Sequence, residues 1–151
     1  MINVALVEPE IPPNTGNIAR LCAASRVPLH IVGVAGFRLD DRAVKRAGLD
    51  YWPEVLLQRH ANLEALYSRL PTSRFVYLST KAEKSYHEWL FTSDDCLVFG
   101  RETRGLPEDL LRENWENCLR IPMANPNVRS LNLANAVAIV LFEALRQTGQ
   151  L

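Results

Sequence analysis

The chain has 151 residues, of which 48% are hydrophobic and 23% charged, and its 17 basic residues balance 17 acidic ones. This length and composition are typical of a single globular domain over residues 1–151 and exclude a disordered chain. The zero net charge excludes a strongly basic protein that binds nucleic acid without specificity, but it allows a local basic patch.

Short apolar runs alternate with helix-like segments along the chain. The apolar runs predict strands at residues 3–7, 29–34, 55–57, 75–79, 96–100 and 118–123. The predicted helices begin near Thr15 with Asn14 as N-cap, run from Asp40 to Gly48, cover 61–70, start at Pro107, and cover 130–147. This alternation predicts an α/β fold, with a mostly parallel sheet and helices on both faces.

Three polar segments rich in glycine or asparagine follow predicted strands. They cover residues 14–20, 100–107 and 124–135. Because ligands of parallel sheets bind beyond the carboxyl ends of the strands, we expect the three segments to converge on one site.

The last helix is apolar on every side between Ala136 and Phe142. A helix of this kind must be covered all round. A second copy of the chain, packed around a two-fold axis, is the favoured cover and predicts a homodimer. The alternative is a central helix that one chain buries by itself.

Several site classes are excluded by missing motifs. There is no G-x-G-x-x-G for a dinucleotide, no Lys-Ser/Thr after Gly105 for a phosphate loop, and no H-E-x-x-H for zinc. The isolated histidines indicate no metal site. The first residues do not form a signal peptide, and the longest apolar run is too short to cross a membrane. The cysteines form no C-x-x-C pair. We therefore expect a reduced, cytoplasmic protein with Cys96 and Cys118 in its core.

Each polar segment has a functional and an ordinary interpretation. Gly100 ends a strand and allows close approach to the main chain, yet it also suits a plain strand-to-helix turn. Arg20 either points a cation at the site or lies on the surface. Asn135 lies in the first turns of an otherwise apolar helix, where a buried amide would bind loop backbone or a ligand, or would only cap the helix. A basic stripe fits RNA phosphates or a solvated helix face, and consists of Arg38, Arg42, Lys45 and Arg46.

Taken together, the three segments resemble the motifs of the SPOUT class of RNA methyltransferases. The matching stretches are NTGNIAR at 14–20, FGRETRGLP at 99–107, and IPM at 121–123 with RSLNLANA at 129–136. EPEIPP at 8–13 and AGLDY at 47–51 extend the resemblance over nearly the whole chain. Two positions depart from the pattern, since Arg101 stands where proline is frequent and Ala134 where serine is frequent.

The resemblance implies an enzyme that transfers a methyl group from S-adenosylmethionine to a ribose 2′-hydroxyl of RNA. It also implies a homodimer and a C-terminal trefoil knot, which general topological rules would not predict. The short chain resembles minimal members that modify the wobble nucleotide of tRNA, cytidine or uridine 34. An enzyme acting on another RNA, such as rRNA, and an RNA-binding protein without catalysis remain the alternatives.

Site residues are implied by the motif positions. The catalytic set is Arg20, Asn14, Glu102, Ser130 and Asn132. The cofactor-binding set is Leu78, Gly100, Gly105, Ile121, Met123, Ser130 and Asn135. Because a guanidinium stays protonated, we expect Arg20 to stabilise negative charge on the ribose oxygen or to hold a phosphate, and not to act as a general base.

Overall fold

A parallel β-sheet forms the centre of the computed structural model, which describes residues 1–39, 42, 46 and 49–151. Its strands are β1 (Asn3–Val7), β2 (Leu29–Val32), β3 (Leu57–His60), β4 (Arg74–Leu78), β5 (Lys84–Ser85), β6 (Asp95–Phe99) and β7 (Cys118–Arg120). In the described residues the strand order is β3-β2-β1-β6-β4-β7-β5, and every neighbouring pair is parallel. The predicted α/β class is confirmed.

Helices cover both faces of the sheet. They are α1 (Pro12–Ser25), α2 (Leu63–Arg69), α3 (Glu108–Glu113) and α4 (Leu133–Thr148), and short 3-10 turns cover Leu49–Glu54, Tyr86–Glu88 and Trp115–Asn117. Within the described part of the chain, no helix combines the length and apolar character needed to cross a membrane.

The alternation of β1 side chains divides the core into two layers. Val4 and Leu6 face a cluster that contains Ile18 of α1 and Val137 of α4. The next residues along the strand, among them Ala5, face the opposite cluster, to which α2 and α3 contribute. Both faces of the central strands β1, β2 and β6 are therefore buried, which explains why these strands are short and mostly apolar.

Several element boundaries differ from the predicted ones. Helix α1 starts at Pro12 with Ile11 as its N-cap, so the prediction that Asn14 caps this helix was wrong. Two prolines occupy its first turn, where a missing N–H costs little. Strand β2 stops at Val32 because Gly33 takes a positive φ of 77°. The strand near 55–57 lies instead at Leu57–His60, and β7 ends at Arg120.

The last helix begins at Leu133, three residues later than predicted. Asn132 caps it by accepting a hydrogen bond from the N–H of Asn135 at 3.3 Å. Val137 and Leu141 are buried, whereas Ile139 and Phe142 are 37% and 39% exposed. The predicted apolar surface on this helix is therefore present. The predicted helix from Asp40 to Gly48 lies outside the described residues, except for Arg42 and Arg46.

Two buried polar groups stabilise the sheet away from its carboxyl edge. Asp95 is fully buried and accepts two hydrogen bonds from Arg74, at 2.9 and 2.8 Å. His30 is fully buried as well, with one ring nitrogen 2.8 Å from Asn3 Oδ1 and the other 2.8 Å from His60 Nε2. Burial, reinforced by His60, lowers the pKa of His30 to about 4, so the ring is neutral at physiological pH.

Candidate active site

A cavity of about 970 Å³ opens at the carboxyl ends of the central strands. Its volume lies near the upper end of the range of roughly 300–1,000 Å³ that is common for small-molecule sites. The cavity is lined by residues that follow β1, β4, β6 and β7 and by the segment that precedes α4. Of the predicted site residues, the lining includes Leu78, Gly100, Glu102, Gly105, Ile121, Met123 and Ser130.

The loop after β6 folds back tightly over Gly100. Arg101 and Gly105 exchange two main-chain hydrogen bonds of 3.3 and 2.9 Å, and Gly105 has a φ of 68°. A Cβ atom on Gly100 would lie 2.2 Å from the carbonyl carbon of Gly105 and 2.3 Å from the nitrogen of Leu106. Gly100 is therefore required by closure of its own loop, and the loop then forms a wall of the cavity.

Glu102 connects this loop to the start of α1. Its carboxylate accepts hydrogen bonds from the N–H groups of Glu10 and Ile11, at 2.9 and 2.8 Å, and from the side-chain amide of Asn14 at 3.3 Å. Helix α1 has no side-chain cap of its own. An acid at the third helical position usually accepts the N–H of the N-cap residue, and here Glu102 does so from a distant loop. Asn14, which occupies that third position, donates to the same carboxylate.

A second carboxylate holds the loop from the opposite direction. Glu10 Oε1 accepts hydrogen bonds from the N–H and the hydroxyl of Thr103, at 3.2 and 2.7 Å. These two bonds lower the pKa of Glu10 below its ordinary value of 4.5. Glu8 adds an ion pair with Arg101 at 2.7 Å. We refer to Glu8, Glu10 and Glu102 with these partners as the carboxylate clasp.

The third polar segment joins the clasp through an amide pair. The side-chain nitrogen of Asn132 donates to Asn14 Oδ1 at 2.9 Å. Asn14 therefore contacts Glu102 with one end of its amide and Asn132 with the other. Since these residues come from the three predicted segments, the predicted convergence is confirmed. Ser130 is exposed at the cavity, whereas Asn135 is exposed and does not line it, so the expected burial of the Asn135 amide was wrong.

Arg20 lies on α1 outside the cavity lining. Its guanidinium carbon is 4.8 Å from the centre of the Tyr51 ring, and a terminal nitrogen is 3.4 Å from the Tyr51 hydroxyl. Six residues separate Arg20 from Asn14, which corresponds to roughly 9 Å along a helix axis. The cation therefore lies further along α1 than Asn14, next to the turn that carries Tyr51.

The described part of the structure includes three of the four residues of the predicted basic stripe. Arg38, Arg42 and Arg46 are exposed, and Lys45 lies outside the described residues. A second cavity, of about 730 Å³, lies beside this region, with Phe37, Arg38, Trp52 and Arg59 among its lining residues.

Of the three acids in the carboxylate clasp, Glu102 was predicted from the sequence and the other two were missed. Glu8 and Glu10 flank Pro9 directly after β1, and two acids at the carboxyl end of a buried strand were the available signal. Lys81, on the cavity wall, was missed as well and forms an ion pair of 2.7 Å with Glu108.

Other reactive groups lie away from the cavity or in the core. Cys22, Cys96 and Cys118 are unpaired and buried, which confirms the core positions predicted for Cys96 and Cys118. Burial raises the pKa of the Cys22 thiol to about 12, which leaves it protonated. Over residues 1–39, 42, 46 and 49–151, no group of three or more His, Cys, Asp or Glu side chains is arranged to hold a metal ion.

Comparisons with known proteins agree with this geometry. The model of the family described as SpoU rRNA methylase matches residues 1–142. The tRNA (cytidine(34)-2′-O)-methyltransferase of Saccharophagus degradans is 49% identical over 152 aligned residues, covering 99% of this chain and 97% of that protein.

Solved structures give the same result. A structure described as giving insights into the 2-OH methylation of C/U34 on tRNA has a TM-score of 0.92 and 47% identity, covering 97% of this chain and 95% of that one. The SpoU methyltransferase AviRb from Streptomyces viridochromogenes, in complex with AdoMet, has a TM-score of 0.82 and 27% identity. This second match covers 96% of the present chain and 59% of AviRb.

Proposed function

The chain belongs to the SpoU methylase family, and from this premise we propose that it methylates the ribose 2′-hydroxyl of the wobble nucleotide, cytidine or uridine 34, in tRNA. The observation that carries this proposal is the 49% identity, over nearly the full length of both chains, to a tRNA (cytidine(34)-2′-O)-methyltransferase. Because the match covers 99% of this chain and 97% of that protein, we treat residues 1–151 as one catalytic domain.

S-adenosylmethionine is the methyl donor, and when bound it supplies an electrophilic methyl group on a sulfonium. This long ligand has an adenine, a ribose and a charged tail, so it needs both main-chain and side-chain partners. The cavity suits it because its lining offers the main chain of the loop after Gly100 and polar side chains such as Ser130. We assign binding to the lining residues Leu78, Gly100, Gly105, Ile121, Met123 and Ser130. Asn135 was part of the same prediction, but its exposed position off the cavity gives it no support.

Arg20 supplies the fixed positive charge of the reaction. A guanidinium is always protonated, so it cannot remove the proton of the 2′-hydroxyl. It can stabilise the negative charge that develops on the 2′-oxygen, or hold the adjacent phosphate in place. Because Arg20 lies outside the cavity lining, we place the acceptor ribose at the cavity mouth, between Arg20 and the clasp.

Asn14, Glu102 and Asn132 hold the two reactant sites in register. Their hydrogen bonds connect the wall of the cavity to the first turn of α1, which carries Arg20 one and a half turns further on. Positioning of this kind is the main contribution a protein makes to an in-line transfer, since a misplacement of about 1 Å costs roughly 100-fold in rate. Ser130 is exposed and lines the cavity, which supports a proposed hydrogen bond from its hydroxyl to the cofactor or the ribose.

The RNA surface is proposed around Arg38, Arg42, Lys45 and Arg46. The three arginines are exposed, and Phe37 and Trp52 of the second cavity supply aromatic surface beside them. Phosphate contacts release counterions on binding, so the tRNA affinity should fall steeply as salt rises.

The assembly proposed for the enzyme is a homodimer in the cytoplasm, where its tRNA substrate occurs. Ile139 and Phe142 support the dimer, because they lie three residues apart on α4 and expose apolar surface on the same helix face. Sedimentation equilibrium should give twice the chain mass, and Phe142→Glu should shift the protein towards monomer.

A trefoil knot near the C-terminus is proposed with the fold. Its support is that α4 contacts the segment between β5 and β6. The Gln147 side chain donates to the carbonyl of Trp89 at 2.9 Å and accepts from the N–H of Phe91 at 2.9 Å. A crystallographic chain trace through residues 79–133 tests it.

Labelled cofactor and bulk tRNA test the proposed activity. We expect label in tRNA, and nuclease mapping should locate it on the ribose of nucleotide 34. A parallel incubation with rRNA tests the alternative, and label in rRNA but not in tRNA would instead favour the rRNA activity that the family description carries. Arg20→Ala should retain cofactor affinity and lose turnover, whereas Arg112→Ala, an exposed arginine on α3, should leave both unchanged. Loss of cofactor binding in Arg20→Ala would contradict the assigned role.

A further inference from the structure

Arg20 is held by an aromatic ring from outside its own helix. Tyr51 belongs to the Leu49–Glu54 turn, and its ring lies under the guanidinium with 4.8 Å between the guanidinium carbon and the ring centre. The Tyr51 hydroxyl is 3.4 Å from a terminal nitrogen of Arg20. At this separation the hydrogen bond is long, so the ring face contributes more to the contact than the hydroxyl does.

No acid in the described residues competes for this arginine. Arg20 is exposed, and the ion pairs of the described chain leave it without a carboxylate partner. An arginine side chain has many rotamers, and holding one of them costs entropy. A carboxylate partner would neutralise the charge that the reaction needs, whereas a ring restricts the side chain and leaves the charge and most N–H donors available.

The turn that carries Tyr51 is anchored to the core. Trp52 and Val55 are half-buried and pack against the same apolar cluster as α1. The N–H of Val55 donates to the carbonyl of Trp52 at 3.1 Å, which closes the turn. Because both Tyr51 and Arg20 project from elements packed on one cluster, their relative position is set by the core.

We propose that Tyr51 is a positioning residue for methyl transfer, which orients the Arg20 guanidinium towards the acceptor ribose through its ring face. This inference rests on the function and the Arg20 role proposed above. It assigns no contact between Tyr51 and the cofactor. It therefore predicts an effect on turnover and none on cofactor binding.

The test compares Tyr51→Leu with Tyr51→Phe. Leucine removes the ring, and we expect kcat to fall about five-fold, the effect of losing an exposed cation–π contact. Phenylalanine keeps the ring face, and we expect kcat within about two-fold of the wild type, since only the long hydrogen bond is lost. The dissociation constant for S-adenosylmethionine, measured by calorimetry, should be unchanged in both variants. Leu56→Ala, at an exposed position just beyond the same turn, serves as the control and should change neither quantity.

A double-mutant cycle with Arg20→Lys shows whether Tyr51 acts through Arg20. If it does, the factor by which Tyr51→Leu lowers kcat should be smaller in the Arg20→Lys background than in the wild type. Full kcat in Tyr51→Leu, an equal loss in Tyr51→Leu and Tyr51→Phe, or strict additivity in the cycle would each overturn the inference. These results require a wild type that methylates tRNA and an Arg20→Ala variant that does not. A wild type without this activity would refute the proposed function instead, and an active Arg20→Ala variant would refute the role assigned to Arg20.

Discussion

Replacing Gly100 with alanine is a direct test of how the cavity wall is built. The added Cβ would lie 2.2 Å from the carbonyl carbon of Gly105 and 2.3 Å from the nitrogen of Leu106. Nonbonded carbon atoms approach to about 3.5 Å, so the loop must retreat by about 1 Å. Both opposing atoms are main chain, and the Arg101–Gly105 hydrogen bonds of 3.3 and 2.9 Å hold them in place. The clash cannot be relieved by rotating a side chain.

The expected cost is that of overpacking a rigid site. Overpacking typically destabilises a protein by about 1–3 kcal/mol. At about 2–4 °C per kcal/mol for a chain of this size, Tm should fall by roughly 2–12 °C. Because the displaced loop also forms a wall of the cavity, affinity for S-adenosylmethionine should fall by at least about ten-fold, which equals about 1.4 kcal/mol. Thermal unfolding followed by circular dichroism and isothermal titration calorimetry measure the two effects separately.

Gly149→Ala is the matched control. Gly149 also has a positive φ, of 71°, but no heavy atom lies within 4 Å of the added Cβ, and the residue lies at the end of α4 away from the cavity. Alanine there should cost about 1–2 kcal/mol of backbone strain and leave cofactor affinity unchanged. If Gly100→Ala bound the cofactor like the wild type and lost no more stability than Gly149→Ala, the proposed closure of the loop over Gly100 would be refuted.

Three further variants test the clasp and the buried polar groups. Glu10→Ala removes the acceptor of two hydrogen bonds from the 100–107 loop and should weaken cofactor binding in calorimetry. Since the pKa of Glu10 lies below its ordinary value of 4.5, its hydrogen bonds with Thr103 should persist at neutral pH and be lost only as pH falls below that value. Asp95→Ala removes a buried acceptor of charge-assisted hydrogen bonds and should cost about 2–3 kcal/mol in urea unfolding. Asp94→Ala, at an exposed ion pair, should cost about 0–1 kcal/mol. Equal losses would contradict the difference in burial. For His30 the folded-state pKa of about 4 lies below the ordinary 6.5. The stability that neutral His30 contributes above pH 6.5 should therefore be lost as pH falls towards 4. If His30→Gln showed the same dependence of stability on pH, His30 would not be its cause.

Most strands and helices were predictable because their signals are local, whereas β5, a two-residue strand without an apolar run, was missed. Continuous apolar runs such as residues 3–7 become strands buried on both faces, and the alternation with helices dictates a parallel sheet. Boundaries were less accurate where local rules compete. Asn14 is a good N-cap by type, but the two prolines before it start the helix earlier, and its amide bonds to Glu102 and Asn132 instead.

The sequence by itself determined the fold class, the three polar segments and the family to which they point, because these depend on periodicity and on motifs of neighbouring residues. Tertiary structure alone decided which side chains meet. Glu102 caps a helix 91 residues away along the chain, and Thr103 meets Glu10 across 93 residues. Such pairings arise when parallel strands bring distant loops to one edge of a sheet, and no periodicity encodes them. The contact of Arg20 with Tyr51 has the same origin, since each residue is placed by its own packing on the core.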